Sequence, residues 1–326
     1  MALPASASVV SSGLSAYPTV YYDRKATDFL FSNLFLYPAI DSKPMPNMSG
    51  VAMQIFNYTA FAANTTAATE GTPGAGQALT QNTATINLSQ YVDYISYSDK
   101  VVLTAISDVV TEGSEQLGYR GALSVDTVIR EAIDVNANTT TAARIDKNDG
   151  TYLTASVLRN AAMSIRSANG KPKDNGYFYT VTHSLTAFDL INDSAAGGWI
   201  DLMKYTDGNA GKLQEGIRAN RLGVVGGCEV FESNNVKSYA NWQSSSHTAY
   251  ATYVIGKGAF WCSSLGKTQL GQKNFSVRTT KFTTPVAADA ASQIAAASSY
   301  NFFFGLVARP DGTPTYRRVR CESSLA

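Results

Sequence analysis

Charge is scarce in this chain. Only 16% of its 326 residues are Asp, Glu, Lys or Arg, against about 25% in ordinary soluble domains. Ser, Thr, Ala, Asn and Gly take the place of the missing charge. Free monomers use surface charge to stay soluble. The deficit fits a subunit covered by its own copies, and equally a low-charge secreted β protein. The formal net charge is +1, which gives no electrostatic footprint for sequence-specific nucleic-acid binding. Non-specific contact stays open.

Cysteine and histidine are also sparse. Cys228, Cys262 and Cys321 are odd in number and far apart. They form no disulfide framework and no Cys-x-x-Cys metal pair, so they read as reduced and structural. His183 and His247 lie far apart without a Glu-x-x-His pattern; polar contacts, not metal or catalysis, are expected of them. Residues Met1–Ser6 show no basic segment leading into an apolar one, so no signal peptide is expected. No uncharged apolar run approaches about 18 residues, so no membrane span or membrane partner is expected. Asn57-Tyr58-Thr59 and Asn64-Thr65-Thr66 match glycosylation triplets but read as chance in a Ser/Thr-rich chain.

Motifs for chemistry are missing too. Asp149-Gly150-Thr151 and Asp311-Gly312-Thr313 have the wrong order for an aspartic protease and read as turns. Gly223-Val224-Val225-Gly226-Gly227 lacks the Lys-Ser/Thr of a phosphate loop, and a strand pattern follows it. There is no Gly-x-Ser-x-Gly elbow. Glu70, Glu112, Glu115 and Glu131 show no paired-carboxylate arrangement. Lys147, Lys171 and Lys173 flank Gly-containing turns and read as solvated. Tyr316-Arg317-Arg318-Val319-Arg320 reads as a basic edge strand. The reading is therefore of a non-enzyme: catalytic residues none, metal none, cofactors none.

What is present is organised as α+β. Residues 1–20 are small, polar and non-periodic, as in an extended arm. Tyr21 and Tyr22 lead into Phe29, Leu30, Leu34 and Phe35, a short helical pattern that Pro38 stops. Val51, Met53 and Ile55 alternate as a strand. Ile86, Leu88, Val92 and Tyr94 share one parity of a second, half-buried strand. Between them lies a polar stretch over 59–81, longer than a hairpin needs. Within it, Glu70-Gly71-Thr72-Pro73 must turn: Gly permits positive φ and Pro removes a donor.

Ser98 is placed to cap a helix carrying Val102, Ile106 and Val109. After Gly113 and Gly118, the residues Ala122, Val125, Ile129, Ala132 and Ile133 predict a longer helix. Thr154 to Arg166 predicts another, with Val157, Leu158, Ala161, Ala162 and Ile165 inward. Further strands are expected over 177–182, 250–259, 275–283, 302–308 and 316–320. Short helices are expected from Ser184 through Leu190 and over 199–205. The stretch 221–233 reads as turn, strand and strand end. No internal repeat is present.

Four ordered segments carry a resemblance. They are Tyr21-Tyr22-Asp23-Arg24; Thr69-Glu70-Gly71-Thr72-Pro73 with Gln90-Tyr91; Ser98-Asp99; and Gly223-Val224-Val225-Gly226-Gly227-Cys228-Glu229-Val230-Phe231-Glu232-Ser233-Asn234. Together they resemble the major capsid proteins of tailed bacteriophages, the N-four-like family. That family usually has Gly after its Gln-Tyr, where this chain has Val92, and often an Asp-Pro pair where this chain has Thr284-Pro285.

The resemblance implies the Hong Kong 97-type major capsid fold. It places an N-terminal arm at 1–43 and an extended β-hairpin loop at 44–97. A peripheral domain with a long spine helix would cover 98–174 and an axial domain 175–265. C-terminal strands at 266–326 would return to the peripheral domain. It implies an icosahedral shell of hexamers and pentamers around double-stranded phage DNA, assembled in the host cytoplasm. Portal, scaffold and possible decoration proteins would be partners, with non-specific contact to the packaged DNA. No separate scaffold domain is expected before so short an arm. The expected inter-subunit contacts are Tyr21, Tyr22, Phe29, Phe35, Glu70, Gly71 and Pro73. An encapsulin-like cellular compartment shares the implied fold. A β-rich hydrolase and a phage decoration or tail protein are the readings from other classes.

Overall fold

In the computed structural model the described residues are 34–43, 45, 50–59, 61–67, 70–71, 76–137, 144–145, 152–195, 198–200, 221–240, 248–264, 276–281, 293–310 and 318–324. Two strands at the front of the chain make a long hairpin. β1 is Asp41–Ser42. β2 (Ala52–Tyr58) pairs antiparallel with β3 (Gln81–Asn87), from Ala52 opposite Asn87 to Tyr58 opposite Gln81.

β3 runs into β4 (Ser89–Ser98) with only Leu88 between them. The single half-buried strand expected here is two strands, and the inward parity flips at Leu88. Even positions face inward in β3, where Ile86 is fully buried; odd positions face inward in β4, ending at buried Tyr97. Val92 and Tyr94, expected inward with Ile86, are exposed. One residue of slip reverses every side chain of a strand.

The helix expected to carry Val102, Ile106 and Val109 is split between a short helix and a long one. α1 (Asp99–Thr104) is capped by Ser98, whose hydroxyl accepts from the Val101 N–H. It ends at Ala105, so Ile106 lies outside it and Val109 opens the next helix. That helix, α2 (Val109–Ala137), is 29 residues long and runs straight through Gly113 and Gly118. Gly113 is tolerated because the buried Tyr97 ring occupies the space a Cβ would need, its Cζ only 2.9 Å from that position.

β5 is Arg144–Ile145. α3 (Ala155–Ser167) buries Val157, Leu158, Ala161, Ala162 and Ile165, the face its sequence predicts. β6 (Phe178–Thr182) and α4 (Ser184–Ile191) also form as expected, and the imidazole of His183 accepts the Leu185 N–H as the cap of α4. Trp199 and Ile200 are helical; the rest of 199–205 lies outside the described residues.

β7 (Arg221–Val225) and β8 (Cys228–Glu232) correct the reading of 221–233. They form a tight antiparallel hairpin around Gly226 and Gly227, whose φ values are 61° and 86°. Two successive positive-φ residues are what such turns require. β9 is Ser238–Tyr239, β10 Ala249–Ile255, β11 Phe260–Ser264, β12 Ser276–Lys281, β13 Ile294–Ala308 and β14 Arg318–Ser324. β14 is not the expected edge strand: it lies between β5 and β10.

These strands build two sheets besides the front hairpin. The first runs β1-β11-β13-β12, with β4 also paired to β13. The second runs β5-β14-β10-β6-β8-β7, with β9 beside β10. The second sheet is covered on both faces. α2 packs with Tyr179, Val181, Phe231, Tyr253 and Ile255; α3 packs with the alternate positions Phe178, Cys228, Val230 and Val254. Burial on both faces explains why β6 and β10 are nearly continuous apolar or β-branched runs. The buried Thr182 hydroxyl lies 2.6 Å from that of Thr186 and 3.0 Å from that of Thr252, so these three hydroxyls satisfy one another inside the core.

Candidate assembly surface

Two parts of the chain bear the expected contact residues that fall within the described residues: the arm segment before β1, with Phe35, and the loop of the β2–β3 hairpin, with Glu70 and Gly71. The arm is held by a buried carboxylate. Asp126, on the inner side of α2, is 2% exposed. Its Oδ2 accepts the Phe35 N–H at 2.8 Å and its Oδ1 the Leu36 N–H at 3.3 Å. The Tyr179 hydroxyl donates to the Phe35 carbonyl at 2.7 Å. Leu34, Leu36 and Ile40 are buried in the α2 core, while Phe35 is half-buried beside a cavity of about 250 Å³.

Only the end of the short helix expected around Phe29–Phe35 can be compared, because residues 29–33 lie outside the described residues. Within the described residues, Leu34–Leu36 is not helical, and Pro38 lies inside a 3-10 turn (Tyr37–Ala39) that it helps to start. Tyr21, Tyr22 and Phe29 lie outside the described residues.

Burial pushes the Asp126 carboxyl up to about 7, against the pull of the Phe35, Leu36 and Tyr37 backbone N–H groups. On the same helix, Glu131 is held below the usual carboxylate range by Arg130 and Lys237. The Lys237 ammonium lies 3.0 Å from Glu131, and Arg130 donates to Asn235 Oδ1 at 2.8 Å, which ties α2 to the chain after β8.

The hairpin is seated on β13. Gly305 gives it room: a Cβ there would fall 2.7 Å from Ile86 Cγ2 and against the Asn87 carbonyl. The Arg309 guanidinium donates to Asn57 Oδ1 at 2.6 Å, and the Leu88 N–H closes on the Val51 carbonyl at 2.9 Å. Beyond Tyr58 the strands give way to the long loop, whose neck is a Thr59 N–H to Thr80 carbonyl bond of 3.0 Å.

All described residues from 61 to 80 are exposed, including Phe61 and Leu79. Glu70 and Gly71 form a turn, with Gly71 at φ 79°; Pro73 lies outside the described residues. Phe56 and Tyr58 pack edge to face on the outer side of β2 yet remain about half exposed. Val92 and Tyr94 on β4, and Val101, Val102 and Leu103 on α1, extend the exposed apolar area. Exposed apolar side chains in such number are a mark of interaction surfaces.

One sequence signal at this surface escapes a motif search. From Pro44 to Val92, Glu70 is the sole charged residue. A lone charge at a turn is visible in the sequence, but its meaning depends on what it faces.

The described residues hold no metal-type cluster, and no helix among them is long and apolar enough to cross a membrane. Burial pushes the Cys228 thiol up to about 11 and the Cys262 thiol up to about 12, so neither is poised as a nucleophile. His183 stacks on Tyr250 with ring centroids 4.2 Å apart, and burial lowers its pKa. His247 lies outside the described residues.

Comparison with known proteins agrees with a surface built for contact. A family model described as "Phage capsid protein" matches residues 81–261. The capsid of Ralstonia phage GP4 is similar at 12% identity, with TM-score 0.70 over 88% of this chain and 87% of that one. The capsid of cyanophage Pam1 is similar at 12% identity, with TM-score 0.63 over 90% and 92%. That of Helicobacter pylori bacteriophage KHP30 shows 14% identity and TM-score 0.61 over 88% of each chain. Comparison with curated protein sequences finds no match. The structural likenesses establish the fold, the α+β Hong Kong 97-type capsid architecture.

Proposed function

The chain belongs to the phage capsid protein family and is a shell-forming structural subunit, and we propose that it builds an icosahedral shell of hexamers and pentamers around double-stranded phage DNA. The observation that carries this reading is the outer side of the β2–β3 hairpin, where Phe56 and Tyr58 stay about half exposed, together with the exposed loop beyond it. Self-association buries such surface and supplies stability that one subunit lacks. In this reading the protein has no catalytic activity.

The proposed division has an arm at 1–43, an extended loop at 44–97 and a peripheral domain at 98–174 with α2 as its spine helix. An axial domain covers 175–265 and C-terminal strands 266–326. The length of α2 supports the spine assignment. Tyr21, Tyr22, Phe29 and Phe35 from the arm, and Glu70, Gly71 and Pro73 from the loop, are the proposed contacts between copies. Portal, scaffold and decoration proteins complete the set of partners. Assembly is placed in the host cytoplasm.

Expression of the chain, with a scaffold protein where needed, followed by negative-stain electron microscopy tests the reading. Closed shells of uniform size are expected. A persistent small soluble species with hydrolase activity would overturn it.

A further inference from the structure

The lone charge of the hairpin loop has a counterpart elsewhere on the subunit. A cavity of about 430 Å³ is lined by Asp41, Lys171, Lys257, Gly258, Trp261 and Arg309. Asp41 is already engaged: Lys173 lies 3.2 Å from its Oδ1, and the Gly258 N–H donates to its Oδ2. Lys257 is paired with Asp174. The cations of this cluster, Lys171, Lys173, Lys257 and Arg309, outnumber the carboxylates Asp41 and Asp174 by two. Lys171 has no ion-pair partner among the described residues, and neither has Glu70; both are exposed.

Reach lets the loop of one copy meet the cavity of another. Arg309 at the cavity holds Asn57 of the same hairpin. From Asn57 to Glu70 the chain can extend about 45 Å at most, and it starts outward as a paired strand. A loop of that reach, rooted beside its own cavity through Arg309 and Asn57, is long enough to meet the cavity of another copy.

We infer that Glu70 at the loop turn of one copy docks into the Lys171–Lys257–Arg309 cavity of a neighbouring copy. This rests on the shell reading above and names the partner of its loop.

The chemistry favours a carboxylate over a nucleic-acid phosphate. The site is concave, with the half-buried Trp261 ring in its lining, and suits one acid on a short alkyl stem. Passive phosphate contact needs cations spread along an exposed track. Enclosure between two subunits also removes water, which strengthens a charge pair that would count for little on an open surface.

A charge exchange tests it. Glu70→Lys and, separately, Lys171→Glu with Lys257→Glu are each expected to abolish shells or lower their thermal dissociation temperature. Combining all three is expected to restore shells. Glu70→Cys with Lys171→Cys, oxidised after assembly, is expected to give a ladder of covalently linked chains that unassembled subunits do not give. If the wild-type chain forms no shells, the functional reading fails. If wild-type and Glu70→Lys shells are equally stable, or the combined exchange restores nothing, or intact cysteine-variant shells give no ladder, this inference fails and the functional reading stands. Shells of normal stability from Lys171→Glu/Lys257→Glu that retain less DNA would assign the cavity to the genome instead and overturn the inference.

Discussion

The Asp126 carboxylate accepts the backbone N–H of Phe35 at 2.8 Å, across 91 positions of chain. One side chain in the middle of α2 therefore fixes the path of the arm where it meets the subunit. Asp126→Ala leaves the part-buried Phe35 N–H and the buried Leu36 N–H without their acceptor. A loss of about 2–4 kcal/mol of subunit stability is expected, read as a lowered urea midpoint. Amide hydrogen exchange should speed up at residues 34–40 first.

The same residue sets a pH dependence. Its carboxyl is raised to about 7 in the folded subunit and returns to about 4 when unfolded. Its contribution is fully present below about pH 4 and is lost as pH rises through about 7. The shift corresponds to about 4 kcal/mol across that window. Asp126→Asn should flatten the urea midpoint between pH 5 and pH 8 relative to the wild type. An unchanged slope would remove Asp126 as its source.

Gly113 offers a test of close packing. Alanine favours a helix by about 1 kcal/mol over glycine. Here the new methyl meets the Tyr97 ring, and overpacking costs about 1–3 kcal/mol. Packing should win, so Gly113→Ala lowers the melting temperature. A rise would mean that Tyr97 can step aside.

Deleting residues 60–80 should leave a folded subunit that no longer forms shells. The neck bond between Thr59 and Thr80 shows that the cut ends are already close. Circular dichroism reports the fold and electron microscopy the shells. Stable shells from the deletion variant would refute the loop's proposed role.

Cys228 and Cys262 are buried, with thiols pushed to about 11 and about 12. Both should resist a thiol reagent at pH 8 in the native subunit and react at once in denaturant. Mass spectrometry of the labelled peptides distinguishes them from Cys321.

The sequence made some of this legible and hid the rest for physical reasons. The inward face of α3 and the runs of β6 and β10 stand out because burial repeats along them. Ser98 is found because a cap is local, with its partner three residues away. Asp126 is invisible in that way: within an amphipathic pattern it reads as solvated, and its partners lie 90 residues upstream. The flip at Leu88 is missed because both strands alternate and only the residue between them breaks phase. Gly113 and Gly118 suggest a helix start, but the helix passes through because Tyr97, from another element, fills the space at Gly113. The lone charge of Glu70 is plain in the sequence, while the cavity proposed for it gathers residues from four distant stretches.

The pairing of β4 with β13 sets an order of events in time. Ser89 sits opposite Phe304 and Tyr97 opposite Ala296, so β4 finds its neighbour only after a long further stretch has been made, 211 positions separating Gln90 from its partner Asn301. Contacts this far apart in sequence form slowly. On the ribosome, the seat that Gly305 provides for the hairpin does not exist until β13 has been made. A nascent chain that has not yet reached β13 consequently lacks the seat that fixes the direction of its hairpin.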